Sequence, residues 1–147
     1  MKAISSSEWA VLRVIWTLGR TDSSKLIDIL SVQHGWQAST IKTLLRRLID
    51  KNYVTSDAVP RNRHYWATVS EDDLMQEQLT QLLSDMCAMK RGTAIVNSLE
   101  KLPLPQSDII NLQALLVEKA KTAEPFIACD CLPDHCNCSE MEENHGE

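Results

Sequence analysis

Four of the five cysteines in this 147-residue chain fall within ten positions, as Cys129-Asp-Cys131-Leu-Pro-Asp-His-Cys136-Asn-Cys138. Thiolates two residues apart point to one side of an extended chain, so each Cys-x-Cys pair can grip one ion. Between the pairs, Leu132-Pro133-Asp134-His135 places Pro at the favoured second position of a β-turn. Such a turn folds the second pair back on the first and brings four sulfurs together. Four thiolates make a soft site suited to Zn(II) or Cu(I). They complete a tetrahedral zinc site, so His135 is left as a spare. Cys87, alone on the helix expected to mediate dimerisation, reads as a small buried hydrophobe.

The rest of the chain must position or use that site. Its length allows one ordinary domain, or one small domain plus an oligomerisation segment. There is no apolar run long enough to span a membrane and no apolar core of a signal peptide at the N-terminus. A cytoplasmic protein is expected, and in a reducing compartment clustered cysteines bind metal rather than pair as disulfides. The net charge of −5 hides an asymmetry. Residues 1–66 carry ten Lys/Arg against five Asp/Glu, and residues 67–147 carry five against fifteen. A basic front half on an acidic chain suggests a local polyanion-binding surface.

Ser5-x-x-Glu8 forms a capping box ahead of Trp9, Leu12, Ile15 and Trp16, whose spacing gives one buried helical face ending at Gly19. Asp22 caps a short second helix, Ser23 to Leu30, burying Leu26, Ile27 and Leu30, and His34-Gly35 breaks the chain after it. A third helix, from about Ala38 to Lys51, buries Ile41, Leu44, Leu45, Leu48 and Ile49. Tyr53-Val54-Thr55 and Tyr65 to Val69 are β-rich and flank a basic tip, Ala58 to Arg63. Three helices and then a two-stranded hairpin is the order of a winged helix-turn-helix. The fold class expected is mainly α with a small β-hairpin wing.

Three domains follow: residues 1–69, the winged helix; residues 70–124, a helical dimerisation domain; and residues 125–147, a metal-binding tail with an acidic, disordered end. In the middle part, Ser70 and Asp73 cap a helix whose Met75, Leu79, Leu82, Met86 and Met89 form a coiled-coil-like seam up to Gly92. A helix from Ala94 to Lys101 and another capped by Ser107 or Asp108 complete it. Pro103 and Pro105 separate them.

The third helix is the natural reader of DNA, with its early exposed residues meeting base edges. Ser39, Thr40, Lys42 and Thr43 occupy that place, and Arg46 lies one turn on, in reach of a guanine or a phosphate. Arg47 is placed to brace the helix against the wing. Arg61, Arg63 and His64 suit phosphate contacts or minor-groove insertion. Trp9 and Trp16 read as core, Trp66 as the anchor of the hairpin, and Trp36 as a support for the start of the reading helix. No acid/base or nucleophile constellation appears, so an enzyme is not expected.

Ile4-Ser-x-x-Glu8-Trp9, Val14-Ile15-Trp16 and Trp36-x-x-x-Thr40-Ile41-x-Thr43-Leu44-Leu45-x-Arg47-Leu48 resemble the penicillinase-repressor (BlaI/MecI) family of winged-helix repressors. With the terminal Cys-x-Cys-x4-Cys-x-Cys, the chain is similar to the CopY-type copper-responsive repressors within it. The resemblance implies a cytoplasmic homodimer on an inverted-repeat operator of the TACAnnTGTA kind at copper-homeostasis genes. It implies Zn(II) in the DNA-binding form and Cu(I) as inducer, with a copper chaperone among the donors to expect and no membrane partner. By position, Thr40, Lys42, Thr43, Arg46 and Arg63 match DNA-contacting places, and Cys129, Cys131, Cys136 and Cys138 match metal ligands. Two places depart from the family pattern. Gln37-Ala38 stands for a Ser-Pro that caps the reading helix. Asn62-Arg63 stands for Gly-Arg in the wing, where Asn tolerates the left-handed conformation. The competing readings are a thiol-redox repressor, a metal-buffering or copper-delivery protein, and a repressor switched by proteolysis.

Overall fold

The computed structural model describes residues 2–132, in two compact units that divide after Thr80. In the first, α1 (Ser6–Leu18) opens on the capping box: the Glu8 N–H donates to Ser5 Oγ, and the Ser5 N–H donates to Glu8 Oε2 at 2.8 Å. Gly19 ends it with φ +73, its N–H returning to the Ile15 carbonyl. The Asp22 side chain accepts from the Lys25 N–H and starts α2 (Ser23–His34), which runs past the expected end at Leu30 until Gly35 closes it in the left-handed conformation that its missing Cβ permits. After a three-residue turn comes α3 (Ala38–Asp50).

β1 (Thr21–Asp22), β2 (Val54–Ser56) and β3 (His64–Ala67) form an antiparallel sheet in the order β1-β3-β2. The hairpin is the expected wing. β1 is an addition, two residues long and paired Thr21 with Tyr65 and Asp22 with His64. The core joins Val11, Leu12 and Ile15 of α1 to Leu26 and Leu30 of α2 and to Ile41, Leu45 and Leu48 of α3, with Val54 and Leu74 also buried. Each such side chain contributes roughly 1.5–3 kcal/mol by leaving water. Trp9 and Trp16 are half-buried against that core, and the Trp16 indole N–H donates to the Val69 carbonyl at 2.9 Å. The architecture is the expected winged helix-turn-helix, mainly α with a small sheet.

α4 (Glu71–Asp85) begins as expected, with Ser70 Oγ accepting from the Asp73 N–H. It ends sooner than its apolar spacing suggests. Met86 and Met89 lie beyond it, in a connector before α5 (Arg91–Leu99), so the seam stops at Leu82. The Arg91 guanidinium reaches the Ser84 and Met86 carbonyls, at 3.5 and 3.2 Å, and satisfies acceptors that a continuing helix would have used. Gly92 therefore lies in the first turn of α5 rather than at a break. α6 (Gln106–Thr122) enters from Pro105 with no side-chain cap, and Ser107 turns instead to Asp108. No residue of α5 or α6 is buried, and Ile95, Val96, Leu115 and Leu116 are among their exposed apolar side chains.

Candidate nucleic-acid interface and metal centre

α3 separates two faces cleanly. Ile41, Leu44, Leu45 and Leu48 point into the core, while Ser39, Thr40, Lys42, Thr43, Arg46 and Arg47 are exposed. The exposed Thr43 hydroxyl donates to the Ser39 carbonyl at 2.9 Å, which leaves its oxygen able to accept a further hydrogen bond. Lys42 and Arg46 are four residues apart on one face, a like-charge pair that is unfavourable until an anion joins it. Gln37 provides no side-chain cap to α3, in keeping with its departure from Ser-Pro. Trp36 stacks on His34 with ring centroids 4.4 Å apart, ahead of the helix start. Arg47 lines a depression with Ser5, Glu8 and Lys51, so its neighbours there are the N-terminal segment rather than the wing.

At the wing, Arg61, Asn62 and Arg63 are exposed. The left-handed residue is Arg61, at φ +66, and not Asn62. The turn places its positive φ one residue earlier than the family pattern suggested. Asp57 organises the base of the hairpin. It accepts the His64 N–H at 2.8 Å and pairs with the Arg20 guanidinium, which lies over the Trp66 ring, 4.6 Å from its centroid. The His64 amide above all, with Arg20, outweighs desolvation and holds the Asp57 carboxyl below the usual value of 3.8. His64 thus serves the wing's base, and Trp66 anchors it. Ser23 and Ser24, at the start of α2, line one depression with Arg61 and Arg63. Only the tertiary fold brings these hydroxyls beside the wing; nothing in their local sequence marks them.

The second centre contains a residue that sequence reasoning set aside. Cys87 is half-buried in the connector after α4, and its sulfur lies 3.5 Å from that of Cys129. With Cys131, the three sulfurs all lie within 4.8 Å of one another. Cys129 and Cys131 converge as the Cys-x-Cys spacing predicts. Cys87 lies past the end of the helix expected to carry it, and it is not the buried hydrophobe expected, because its neighbours are thiols. Cys136, Cys138 and His135 lie outside the described residues, as does the acidic end. Between the two cysteines, Asp130 accepts the Ala88 N–H at 2.9 Å, one residue after Cys87. The Cys131 N–H points to the Cys129 sulfur at 3.4 Å.

Hydrogen bonding from the Lys90 N–H, helped by the neighbouring thiols, lowers the Cys87 thiol to about 7. The sulfurs of Cys129 and Cys87 push Cys131 upward. A tetrahedral zinc ion with Zn–S bonds of ~2.3 Å holds its sulfurs about 3.8 Å apart. The thiols present fit such an ion in type, and their three sulfurs are gathered within 4.8 Å of one another.

The sequence profile described as "Penicillinase repressor" matches residues 4–118. The chain belongs to the penicillinase repressor family. An uncharacterised 16.5 kDa protein of Latilactobacillus sakei is 42% identical over 139 residues, 95% of each chain. About eight residues fall outside that match, so it takes in 129–138 wherever it starts. The methicillin resistance regulatory protein MecI of Mammaliicoccus sciuri is 27% identical over 79% of this chain and 94% of its own. A solved structure of monomeric Bacillus licheniformis BlaI with the blaP half-operator is 32% identical, covering 49% of this chain and 88% of that one, with a TM-score of 0.44. The family is one of transcriptional repressors and not of enzymes. Its profile ends before the first tail cysteine. Among the described residues no helix is long and apolar enough to cross a membrane.

Proposed function

We propose that this repressor is copper-responsive. A zinc-loaded homodimer binds an inverted-repeat operator of copper-homeostasis genes, and exchange of Zn(II) for Cu(I) at the tail thiols releases it. The observation that carries the reading is the convergence of Cys129 and Cys131 in a cluster of soft ligands, attached to a repressor whose family profile does not extend that far. Cys136 and Cys138 complete the ligand set. Bound Zn(II) supplies one tetrahedral cross-link among thiolates, whereas Cu(I) accepts fewer sulfurs per ion and favours another arrangement. The protein residues do the rest. Ser39, Thr40, Lys42, Thr43 and Arg46 meet base edges and phosphates in the major groove, and Arg61 and Arg63 hold the backbone from the wing. The exposed apolar side chains of α5 and α6 suit a second copy of the chain, which would set the half-site spacing. Cu(I) reaches such a protein from a cytoplasmic chaperone.

The test is fluorescence anisotropy of zinc-loaded protein on a labelled TACAnnTGTA duplex, followed by anaerobic Cu(I) titration, with sedimentation to count chains per duplex. Two chains per duplex, salt-dependent binding and release by Cu(I) are expected. Binding indifferent to Cu(I) would sink the copper reading. A second reading, a thiol-redox repressor, is favoured by one observation, the 3.5 Å separation of the Cys87 and Cys129 sulfurs. It requires release by peroxide, with loss of titratable thiols and without metal.

A further inference from the structure

We propose that Cys87 is itself a ligand of the regulatory metal, joining Cys129 and Cys131 of the tail, so that bound Zn(II) or Cu(I) fastens the tail to the connector after α4. The inference rests on reading the tail as metal-binding, and adds a ligand from outside its motif. Three observations carry it. The three sulfurs lie within 4.8 Å of one another, close enough for one thiophilic ion to draw them together, with the Cys87–Cys129 pair at 3.5 Å. This distance is far beyond the ~2.05 Å of a disulfide. A second, independent clasp sits beside them, where Asp130 between the two tail cysteines takes the Ala88 N–H. Finally, the Cys87 backbone is held: its carbonyl accepts the Lys90 and Arg91 N–H groups at 3.1 and 3.0 Å. The Arg91 guanidinium pins the preceding turn. A ligand on such a fixed connector costs little to order, and rigid ligands make selective sites.

The consequence is mechanical. With ligands confined to residues 129–138, metal exchange would reshape the tail alone. With Cys87 included, the metal closes a loop from residue 87 to residue 131 and holds down the segment that follows α4. Loss or rearrangement of that closure acts on the helical part of the repressor directly.

The experiment uses full-length, reduced protein under anaerobic conditions. Co(II) is the spectroscopic probe, read through its sulfur-to-cobalt charge-transfer and d–d bands, and competed with Zn(II). Cys87→Ser should lower the charge-transfer intensity, shift the d–d bands and weaken Zn(II) by on the order of 100-fold or more, beyond the ~10–100-fold expected of a residue that only supports a ligand. Far-UV circular dichroism checks that the variant folds. Timed iodoacetamide labelling of wild-type protein with peptide mapping needs no variant: Zn(II) should protect Cys87 together with Cys129 and Cys131. If wild-type protein binds Co(II), but Cys87→Ser is spectrally and thermodynamically unchanged and Cys87 labels at one rate with and without Zn(II), the inference is overturned and the tail reading stands. If wild-type protein binds neither Co(II), Zn(II) nor Cu(I), both fall.

Discussion

Replacing Lys51 with Met should cost the first unit more than replacing its partner Glu8 with Gln, and the difference should shrink in acid. Glu8 is 2% exposed and Lys51 24%. The Lys51 ammonium donates to both Glu8 oxygens, at 2.8 and 2.7 Å, and to the Ala3 carbonyl at 2.7 Å. Removing the ammonium strands a buried carboxylate, which costs about 3 kcal/mol. In Glu8→Gln, the side-chain amide oxygen still accepts the Ser5 N–H and Lys51 can turn to water, so about 1–2 kcal/mol is expected. In the wild type, burial pushes the Glu8 carboxyl up, but Lys51 and Ser5 outweigh it and hold it below its usual value of 4.5. Its contribution is therefore complete above that value and is lost as pH falls through the lower folded value. In Lys51→Met the burial acts without the ammonium, the carboxyl shifts upward, and protonation relieves the penalty. The gap between wild type and Lys51→Met should narrow from pH 7 to pH 3. All four tryptophans, Trp9, Trp16, Trp36 and Trp66, lie in the first unit, so urea unfolding followed by tryptophan fluorescence reports on it alone. With a slope of about 1 kcal/mol/M, the midpoint should fall by about 3 M for Lys51→Met. Equal costs for the two variants, or a gap unchanged between pH 7 and pH 3, would refute the reasoning.

Arg46→Ala should weaken operator binding by about 1–3 kcal/mol in titrations of matched duplexes and relax the preference at one base pair. Arg63→Ala should weaken binding to all duplexes alike and reduce the log–log salt slope by about 0.9. Arg61→Asn should leave stability within about 0.5 kcal/mol, since Asn tolerates the left-handed conformation, yet still lower DNA affinity; an equal loss of both would mean that the arginine matters for the turn and not for the duplex. Because the Asp57 carboxyl is held below 3.8, its bond to the His64 amide is complete above that value and is lost as pH falls through the folded value. The His64 amide shift in an NMR titration should follow that midpoint, and this acidic step should be lost in Asp57→Asn.

What could be read from sequence was local. Ser5 and Glu8, three residues apart, announce their own reciprocal bonds, and Asp22 announces its helix, because donor and acceptor lie in one turn of chain. Apolar spacing along residues 41–48 sets the buried face of α3 and, with it, the exposed face offered to DNA. β1 left no such trace: Thr21 and Asp22 are a strand only because Tyr65 and His64 come to lie beside them. The end of α4 was misjudged for a related reason. Periodicity through Met86 and Met89 shows which side chains would share a face, but the helix stops where Arg91 and the connector take over its carbonyls.

Cys87 is the strongest case. The tail motif was legible because its ligands are neighbours in sequence, and spacing rules see only neighbours. Cys87 lies 42 residues before Cys129 and carries no local mark of a ligand. One signal was present: five cysteines exceed by one the four that fill a tetrahedral zinc site, and a thiol left over near others calls for a partner.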